Sequence, residues 1–271
     1  MKKFLVPVDF TIPSESAAEY TIEMTRDIPG TEIILYHVYK NDIFSLSKDS
    51  SEEGSKKKAT DADLQIVKDF LKNSVHQKVT MVSEAGHFID NISKYVLSND
   101  IDMIIMGINK GSIRPNVNIG SDTLKMISNI SIPIMLIPPG LKFKKVDNVL
   151  FASDFKDVAR KTPFDSLKKV LDFFKPNLKI LNVDSEHYIE ISEPYKIEKG
   201  EMESKLKKYN PEFSFLRSFD YLEGIVTFAQ TKEIDVIITV PKKDGFYNQL
   251  FKIYTRKLAI DSNKPVIAIS K

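Results

Sequence analysis

Two glycine-bearing segments hold the residues best suited to chemistry. Gly107-Ile108-Asn109-Lys110-Gly111-Ser112 is followed, seven residues on, by Gly120-Ser121-Asp122-Thr123. A glycine lets backbone approach a ligand closely. A helix opening just after Gly120 would offer free N–H groups and a positive dipole end to an anion. The hydroxyls of Ser121 and Thr123 add donors, so Gly107, Gly111, Gly120, Ser121, Asp122 and Thr123 have the composition of a phosphate cradle. The same Gly-Ser-Asp-Thr is equally a good start for any helix, because Ser and Asp cap N-termini. A second candidate, Asp9, follows the apolar run Phe4–Val8 and precedes Phe10 and Thr11. Its carboxylate suits a ligand amine or hydroxyl, or the N-terminus of the next helix. His37 lies inside an apolar run and reads as a packed strand-end histidine, not a catalyst.

Composition removes most other chemistries. The 271 residues include no cysteine, which excludes disulfides, thiolate metal sites and thiol nucleophiles. The four histidines, His37, His76, His87 and His187, stand far apart and form no HExxH or other metal spacing. Lys+Arg 39 against Asp+Glu 37 leaves a net charge of +2, without the basic excess of a nucleic-acid binder. There is no GxxxxGK[ST], no GxGxxG after the first strand, no GxSxG elbow and no convincing acid–base pair. The leading apolar run stops at Asp9, too short for a signal-peptide core, and no later run approaches a membrane span. A cytoplasmic protein with no membrane partner is expected.

These candidates need elements to position them. Short runs rich in Ile, Val and Leu alternate with longer amphipathic stretches. Strands are expected at 4–8, 33–39, 79–83, 102–106 and 134–137, and helices at 14–26, 56–75, 87–97 and 121–129. Such alternation implies parallel strands with helices on both faces, and near-continuous apolar strands fit burial on both sides. Pro133 at the start of the fifth strand suits a sheet edge. Ligands of open parallel sheets bind beyond the carboxyl ends of the strands, which is where Asp9 and Gly107 stand.

The order then repeats, with strands expected at 149–152, 179–183, 212–216, 236–240 and 266–269, and helices at 163–174, 198–208, 223–231 and 250–260. Val8-Asp9-Phe10 answers Ser153-Asp154-Phe155, and Ile101–Ile105 answers Ile234–Ile238 at an offset of 133 (234 − 101). Two βα units therefore divide the chain near Pro138-Pro139-Gly140, giving domains 1–140 and 141–271. The polar, Ser-rich segment Asn41–Ser55 belongs to neither pattern and reads as a solvated loop, or as a lid over the crevice beside it.

On these residues the chain resembles the universal stress protein family in its tandem two-domain form. Val6-Pro7-Val8-Asp9-Phe10-Thr11, Tyr36-His37-Val38, Met106-Gly107, Gly120-Ser121 and Pro133–Ile137 follow that family's pattern of strand ends, nucleotide loop and last strand. The resemblance implies two Rossmann-like α/β domains, each a five-stranded parallel sheet of order 3-2-1-4-5. It implies ATP or another adenine nucleotide, with or without Mg2+, in the first half. Asp9 and Val38 would flank the adenosine, Pro7, Val8 and Met106 would give apolar contact, and Gly107, Gly111, Gly120, Ser121, Asp122 and Thr123 would surround the phosphates. The first and last glycines keep the family's separation of 13 (120 − 107), but Lys110 holds the middle glycine position, with Gly111 one place late. Lys110 would then supply a cation to the phosphates.

The second half keeps Asp154 but not the cradle: its loop reads Val240-Pro241-Lys242-Lys243-Asp244-Gly245-Phe246. It is expected to be a structural partner. The two halves are expected to pair through Ile134–Ile137 and Val266–Ile269 running antiparallel, since exposed edges of this kind invite association. A homodimer and a further protein partner are compatible with the family. Function divides into a non-enzymatic, nucleotide-binding stress-response regulator, with weak ATP hydrolysis left open, and a nucleotide-free interaction scaffold of the same fold. An ATP pyrophosphatase would need a Ser-Gly-Gly loop where Asp9-Phe10-Thr11-Ile12 stands.

Overall fold

The computed structural model describes residues 1–39, 50–71, 76–109, 126–127, 129–184, 193–241 and 247–270. The chain forms two compact units. The first comprises Met1–Ile130 with Pro139–Phe143, the second Ser131–Pro138 with Lys144–Lys271.

In the first unit β1 (Lys3–Pro7), α1 (Ile12–Thr25), β2 (Thr31–Tyr39), α2 (Ser50–Phe70), β3 (Gln77–Ala85), α3 (Phe88–Ser98) and β4 (Met103–Gly107) follow one another. The strands lie in the order β3-β2-β1-β4, all parallel, with Phe4 level with Ile33 on one side and Met103 on the other. Phe4, Leu5, Ile33, Leu35, Met103 and Ile104 are fully or almost fully buried, as strands covered on both faces require. Helix α1 packs on β4, and its Thr21 and Thr25 hydroxyls are satisfied by carbonyls one turn back. The buried Gln77 amide ties β3 to α1 through the Ile22 carbonyl at 2.6 Å and the Thr25 hydroxyl at 2.7 Å.

The second unit holds β5 (Ile134–Ile137), β6 (Asn148–Ala152), a helical turn (Val158–Lys161), α4 (Phe164–Phe174), β7 (Asn177–Asp184), α5 (Glu193–Leu206), β8 (Glu212–Arg217), α6 (Tyr221–Thr231), β9 (Val236–Thr239), α7 (Tyr247–Ser262) and β10 (Val266–Ala268). Its parallel strands lie in the order β8-β7-β6-β9-β10, which is 3-2-1-4-5 in the repeat's own count. β5 runs antiparallel to β10, with Leu136 opposite Val266 and Ile134 opposite Ala268. The antiparallel pairing expected from the sequence is thus present, and it carries the first repeat's last strand into the second unit.

The repeated Asp102 and Asp235 do the same work in each unit. The Asp102 carboxylate accepts the backbone N–H groups of Lys2 and Lys3 at 2.7 and 3.0 Å, and the Asp235 carboxylate accepts those of Asp147 and Asn148 at 2.9 and 2.8 Å. A carboxylate at the amino end of the fourth strand therefore satisfies the donors that lead into the first.

Three expectations shift. α2 starts at Ser50, six residues before the expected 56, and ends at Phe70 instead of 75. Lys57 anchors its early turns by donating to the Ser83 hydroxyl and carbonyl at 3.0 and 3.3 Å. The polar segment from Asn41 therefore ends in helix, and its part before Ser50 lies outside the described residues. α5 starts at Glu193 where 198 was expected, and its Glu198 accepts the Val158 N–H at 2.7 Å. The helix expected at 163–174 is preceded by the separate turn Val158–Lys161, because Pro163 interrupts a continuous run. Of the helix expected at 121–129, Met126, Ile127 and Asn129 are described as helical.

Candidate functional site

The sheet of the first unit brings Pro7, Val8, Asp9, Val38, Met106 and Gly107 to the carboxyl ends of β1, β2 and β4. Pro7 pairs with Tyr36, and Leu5 with Ile104, so Met106 stands level with Pro7 two residues further on. Pro7, Val8 and Met106 are buried, Val38 and Gly107 are half-buried, and Asp9 is exposed. Lys110, Gly111, Gly120, Ser121, Asp122 and Thr123 lie outside the described residues.

The turn from β1 into α1 is built by side chains. Asp9 Oδ1 accepts the Thr11 backbone N–H at 3.1 Å and the Thr11 hydroxyl at 2.5 Å, which closes an Asx turn. The Ser14 hydroxyl accepts the Asp9 N–H at 3.3 Å and donates to the Thr11 carbonyl at 2.9 Å. Partial desolvation by the surrounding turn would by itself push the Asp9 carboxyl up. The Thr11 and Ser14 hydroxyls and the Thr11 N–H outweigh it, and the group sits below its ordinary range. Asp9 is thus held ionised, as an acceptor for a ligand donor requires. Between Asp9 and Thr11, Phe10 takes the left-handed conformation at φ 61°, which costs about 1–2 kcal/mol in a residue with a Cβ. Its ring lies 4.7 Å from that of His37. His37 Nδ1–H donates to the Val8 carbonyl at 2.6 Å.

Gly107 faces the start of α1. A Cβ there would stand 1.9 Å from the Pro13 carbonyl oxygen and 2.3 Å from its carbon. Close approach of protein backbone therefore requires glycine at this position. Next to the crevice, the buried Tyr36 hydroxyl donates to Glu84 at 2.5 Å, and the Asn91 amide donates to Glu84 at 3.3 Å and to the Ala85 carbonyl at 3.0 Å. Burial, and then the Glu84 carboxylate, raise the Tyr36 phenol and keep it a neutral donor.

The second unit repeats the turn with different partners. Asp154 Oδ1 accepts the Lys156 N–H at 3.1 Å across Phe155, left-handed at φ 48°. The Asn182 amide donates to the Ser153 carbonyl at 3.1 Å, as His37 does to Val8. Phe155 is buried among Tyr195, Phe213 and Phe215, with centroids 5.5–6.4 Å away. By the offset of 133, Thr239-Val240 stand where the first repeat has Met106-Gly107. The crevice of this unit holds a cavity of about 70 Å³. Asp154, Val158, Tyr221, Leu222, Thr239 and Leu258 contribute to its walls. Burial, and then the charge of Asp154, raise the Tyr221 phenol.

The residues missed from sequence are Ser14, Thr239 and Tyr221. Ser14 stands five residues after Asp9, within reach of a turn. Thr239 is visible only through the repeat offset, and Tyr221 carries no local signal.

Comparison with known proteins adds the following. The model of the Universal stress protein family matches residues 1–138. No curated protein matches the chain. Among solved structures, a universal stress protein from Archaeoglobus fulgidus DSM 4304 aligns over 99% of this chain and 96% of its own, at 18% identity and a TM-score of 0.69. A functionally unknown protein from Pseudomonas aeruginosa PAO1 aligns over 100% of this chain and 92% of its own, at 12% identity and a TM-score of 0.55. At these identities the likeness is one of fold.

Proposed function

The chain belongs to the universal stress protein family, and from that premise we propose that its first repeat binds an adenine nucleotide as a regulatory ligand, without catalysis. The observation that carries this reading is the Asp9 turn. An ionised carboxylate is fixed at the carboxyl end of β1, beside β4, where strand order reverses and open α/β sheets take their ligands. In this reading Asp9 and Val38 flank the adenosine, and Pro7, Val8 and Met106 give it apolar contact. Gly111, Gly120, Ser121, Asp122 and Thr123 surround the phosphates, with or without Mg2+. Lys110 supplies a cation in place of the family's middle glycine. The protein acts in the cytoplasm as a stress-response component, alone or as a homodimer, toward a protein partner. Among the described residues no helix is long and apolar enough to cross a membrane.

Isothermal titration of the full chain with ATP and with adenosine tests the reading. Gly120→Val should abolish binding, and Lys110→Ala should weaken ATP more than adenosine. Lys110→Gly should weaken ATP if the lysine serves the phosphates, and tighten it if its Cβ obstructs the loop.

One observation favours the scaffold reading: the space at Gly107 is taken by the Pro13 carbonyl, so packing alone accounts for that glycine. No ATP binding at millimolar ligand would leave the scaffold as the function.

A further inference from the structure

The two repeats treat their outer strands differently. Among the described residues no strand lies beyond β3 in the first unit or beyond β8 in the second. In a parallel strand the backbone groups of successive residues point alternately to either side. The Gly86 N–H bonds the Tyr39 carbonyl at 3.0 Å, so in β3 it is Ser83 and Ala85 that face outward. Both outward carbonyls are capped. Ser83 accepts Lys57 Nζ at 3.3 Å, and Ala85 accepts the Asn91 amide at 3.0 Å. In β8 the Ser218 N–H bonds the Asp184 carbonyl at 3.2 Å, which turns Phe213 and Phe215 outward. Ser83 corresponds to Phe215 at an offset of 132 (215 − 83), as Gly86 does to Ser218. Helix α6 carries Gly224 where α3 carries Asn91, at an offset of 133 (224 − 91), so the amide that caps the first edge has no counterpart in the second. Among the described residues no side chain bonds the backbone of Phe213 or Phe215. An uncapped edge of this kind is a template for another strand. Apolar surface accompanies it: Phe215 is 36% exposed, and Phe219, just past the strand, 87%.

We propose that β8 is a dimerisation edge, pairing antiparallel with β8 of a second copy of this chain about a twofold axis at Ser214. The segment Glu212-Phe213-Ser214-Phe215-Leu216 selects both the occupant and the register, because Phe-Ser-Phe reads the same in either direction. Ser214 lies opposite the partner's Ser214, Phe213 opposite the partner's Phe215, and Phe215 opposite the partner's Phe213. These phenylalanines are the outward-facing residues, so each such pair exchanges both of its N–H···O bonds, and facing aromatic rings add to the pairing. Glu212 falls opposite the partner's Leu216, so no like charges meet. Sliding the strands by two residues one way sets Phe215 against the partner's Pro211, which has no N–H to give. Sliding them the other way leaves one Phe215 self-pair and sets Ser214 against the partner's Leu216. In the chosen register Phe219 comes beside the turn Lys207–Tyr209 that leads into the partner's β8, which covers its exposed ring. The pairing does not depend on nucleotide binding in the first repeat.

Sedimentation velocity and light scattering of the full chain at micromolar concentration test the pairing, and twice the monomer mass is expected. Ser214→Lys and Ser214→Glu each set like charges directly opposite one another on the axis and should halve that mass. An equimolar mixture of the two variants should restore it. Far-UV circular dichroism checks that both fold. The chain has no cysteine, so Ser214→Cys introduces a single thiol in place of a hydroxyl. Facing residues of a non-hydrogen-bonded antiparallel pair stand about 4.5 Å apart at Cα, within disulfide reach, so mild oxidation should link two chains. Lys78→Cys, on the capped β3 edge, should stay unlinked. The cysteine variants decide the matter should the charged ones fail to fold. A monomeric wild type, which leaves the edge to a strand of another protein, overturns the proposal. So do a dimer that survives both charged variants, a mixture of folded variants that stays monomeric, and cross-linking of Ser214→Cys no greater than that of Lys78→Cys.

Discussion

Substituting Gly107 by alanine tests the packing of the first crevice. The added Cβ would lie 1.9 Å from the Pro13 carbonyl oxygen, 2.3 Å from its carbon and 3.1 Å from its Cα. Ordinary contact needs more than 3 Å, so the first turn of α1 and the end of β4 must separate by over an ångström. The obstacle is backbone and cannot rotate away as a side chain would. Overpacking commonly costs 1–3 kcal/mol, and this geometry belongs at the upper end, about 3 kcal/mol. At about 2–4 °C per kcal/mol, the melting temperature should fall by roughly 6–12 °C. Gly200→Ala is the matched control, because a Cβ there meets nothing within 4 Å and the site is interior to α5. It should stabilise by about 0.5–1 kcal/mol. Far-UV circular dichroism through thermal and urea unfolding measures both. Hydrogen exchange should show protection lost in α1 and β4 of Gly107→Ala but kept in β6 and β7. A Gly107→Ala chain within about 0.5 kcal/mol of wild type, the range of an ordinary surface change, would refute the close approach.

Asp9 has a lowered carboxyl, so its contribution to stability is full above the ordinary value of 3.8 and lost as pH falls through the lower folded value. The stability difference between wild type and Asp9→Ala should therefore be constant at neutral pH and shrink on acidification below about pH 4, as read by urea midpoints. Asn182→Ala leaves the buried Ser153 carbonyl without its donor and should cost about 1–3 kcal/mol, measured by the same denaturation. A fragment of residues 144–271 lacks β5 and leaves the β10 edge unpaired, whereas 131–271 retains it. Light scattering should find the shorter fragment in larger assemblies than the longer one.

The alternation of apolar runs and amphipathic stretches was enough to place strands and most helices, because parallel strands buried on both faces leave little compositional ambiguity. Repeat anchors such as Asp102 and Asp235 were visible as a match, but their role in accepting two N–H groups at the sheet's far end depends on three-dimensional juxtaposition. Helix starts were harder. Ser50 and Glu193 open helices whose first turns lack the apolar spacing of the later ones, and contacts such as Lys57 to Ser83 and Glu198 to Val158 hold the early turns. Asp9 was legible as a strand-end carboxylate. The His37 bond to Val8 and the reason for Gly107 were not, since each arises between residues distant in sequence, and the left-handed Phe10 was not, since its local Asx turn uses a residue type that seldom takes that conformation. The cavity of the second repeat had no sequence signal, because its walls are assembled from residues as far apart as Ala152, Leu222, Thr239 and Leu258.

The pairing of β5 with β10 bears on how the chain is made. Ile137 leaves the ribosome 129 residues before Val266 (266 − 137), so β5 waits for its antiparallel neighbour through the synthesis of nearly the whole second repeat. At about 5–20 residues per second the delay is roughly 6–26 s. Throughout that interval four consecutive residues that end up fully buried, Ile134, Met135, Leu136 and Ile137, lack the strand that finally covers that side. Nascent chains of this protein should therefore be clients of ribosome-associated chaperones until their last residues emerge, and premature termination near the C-terminus should be more damaging than its short length suggests.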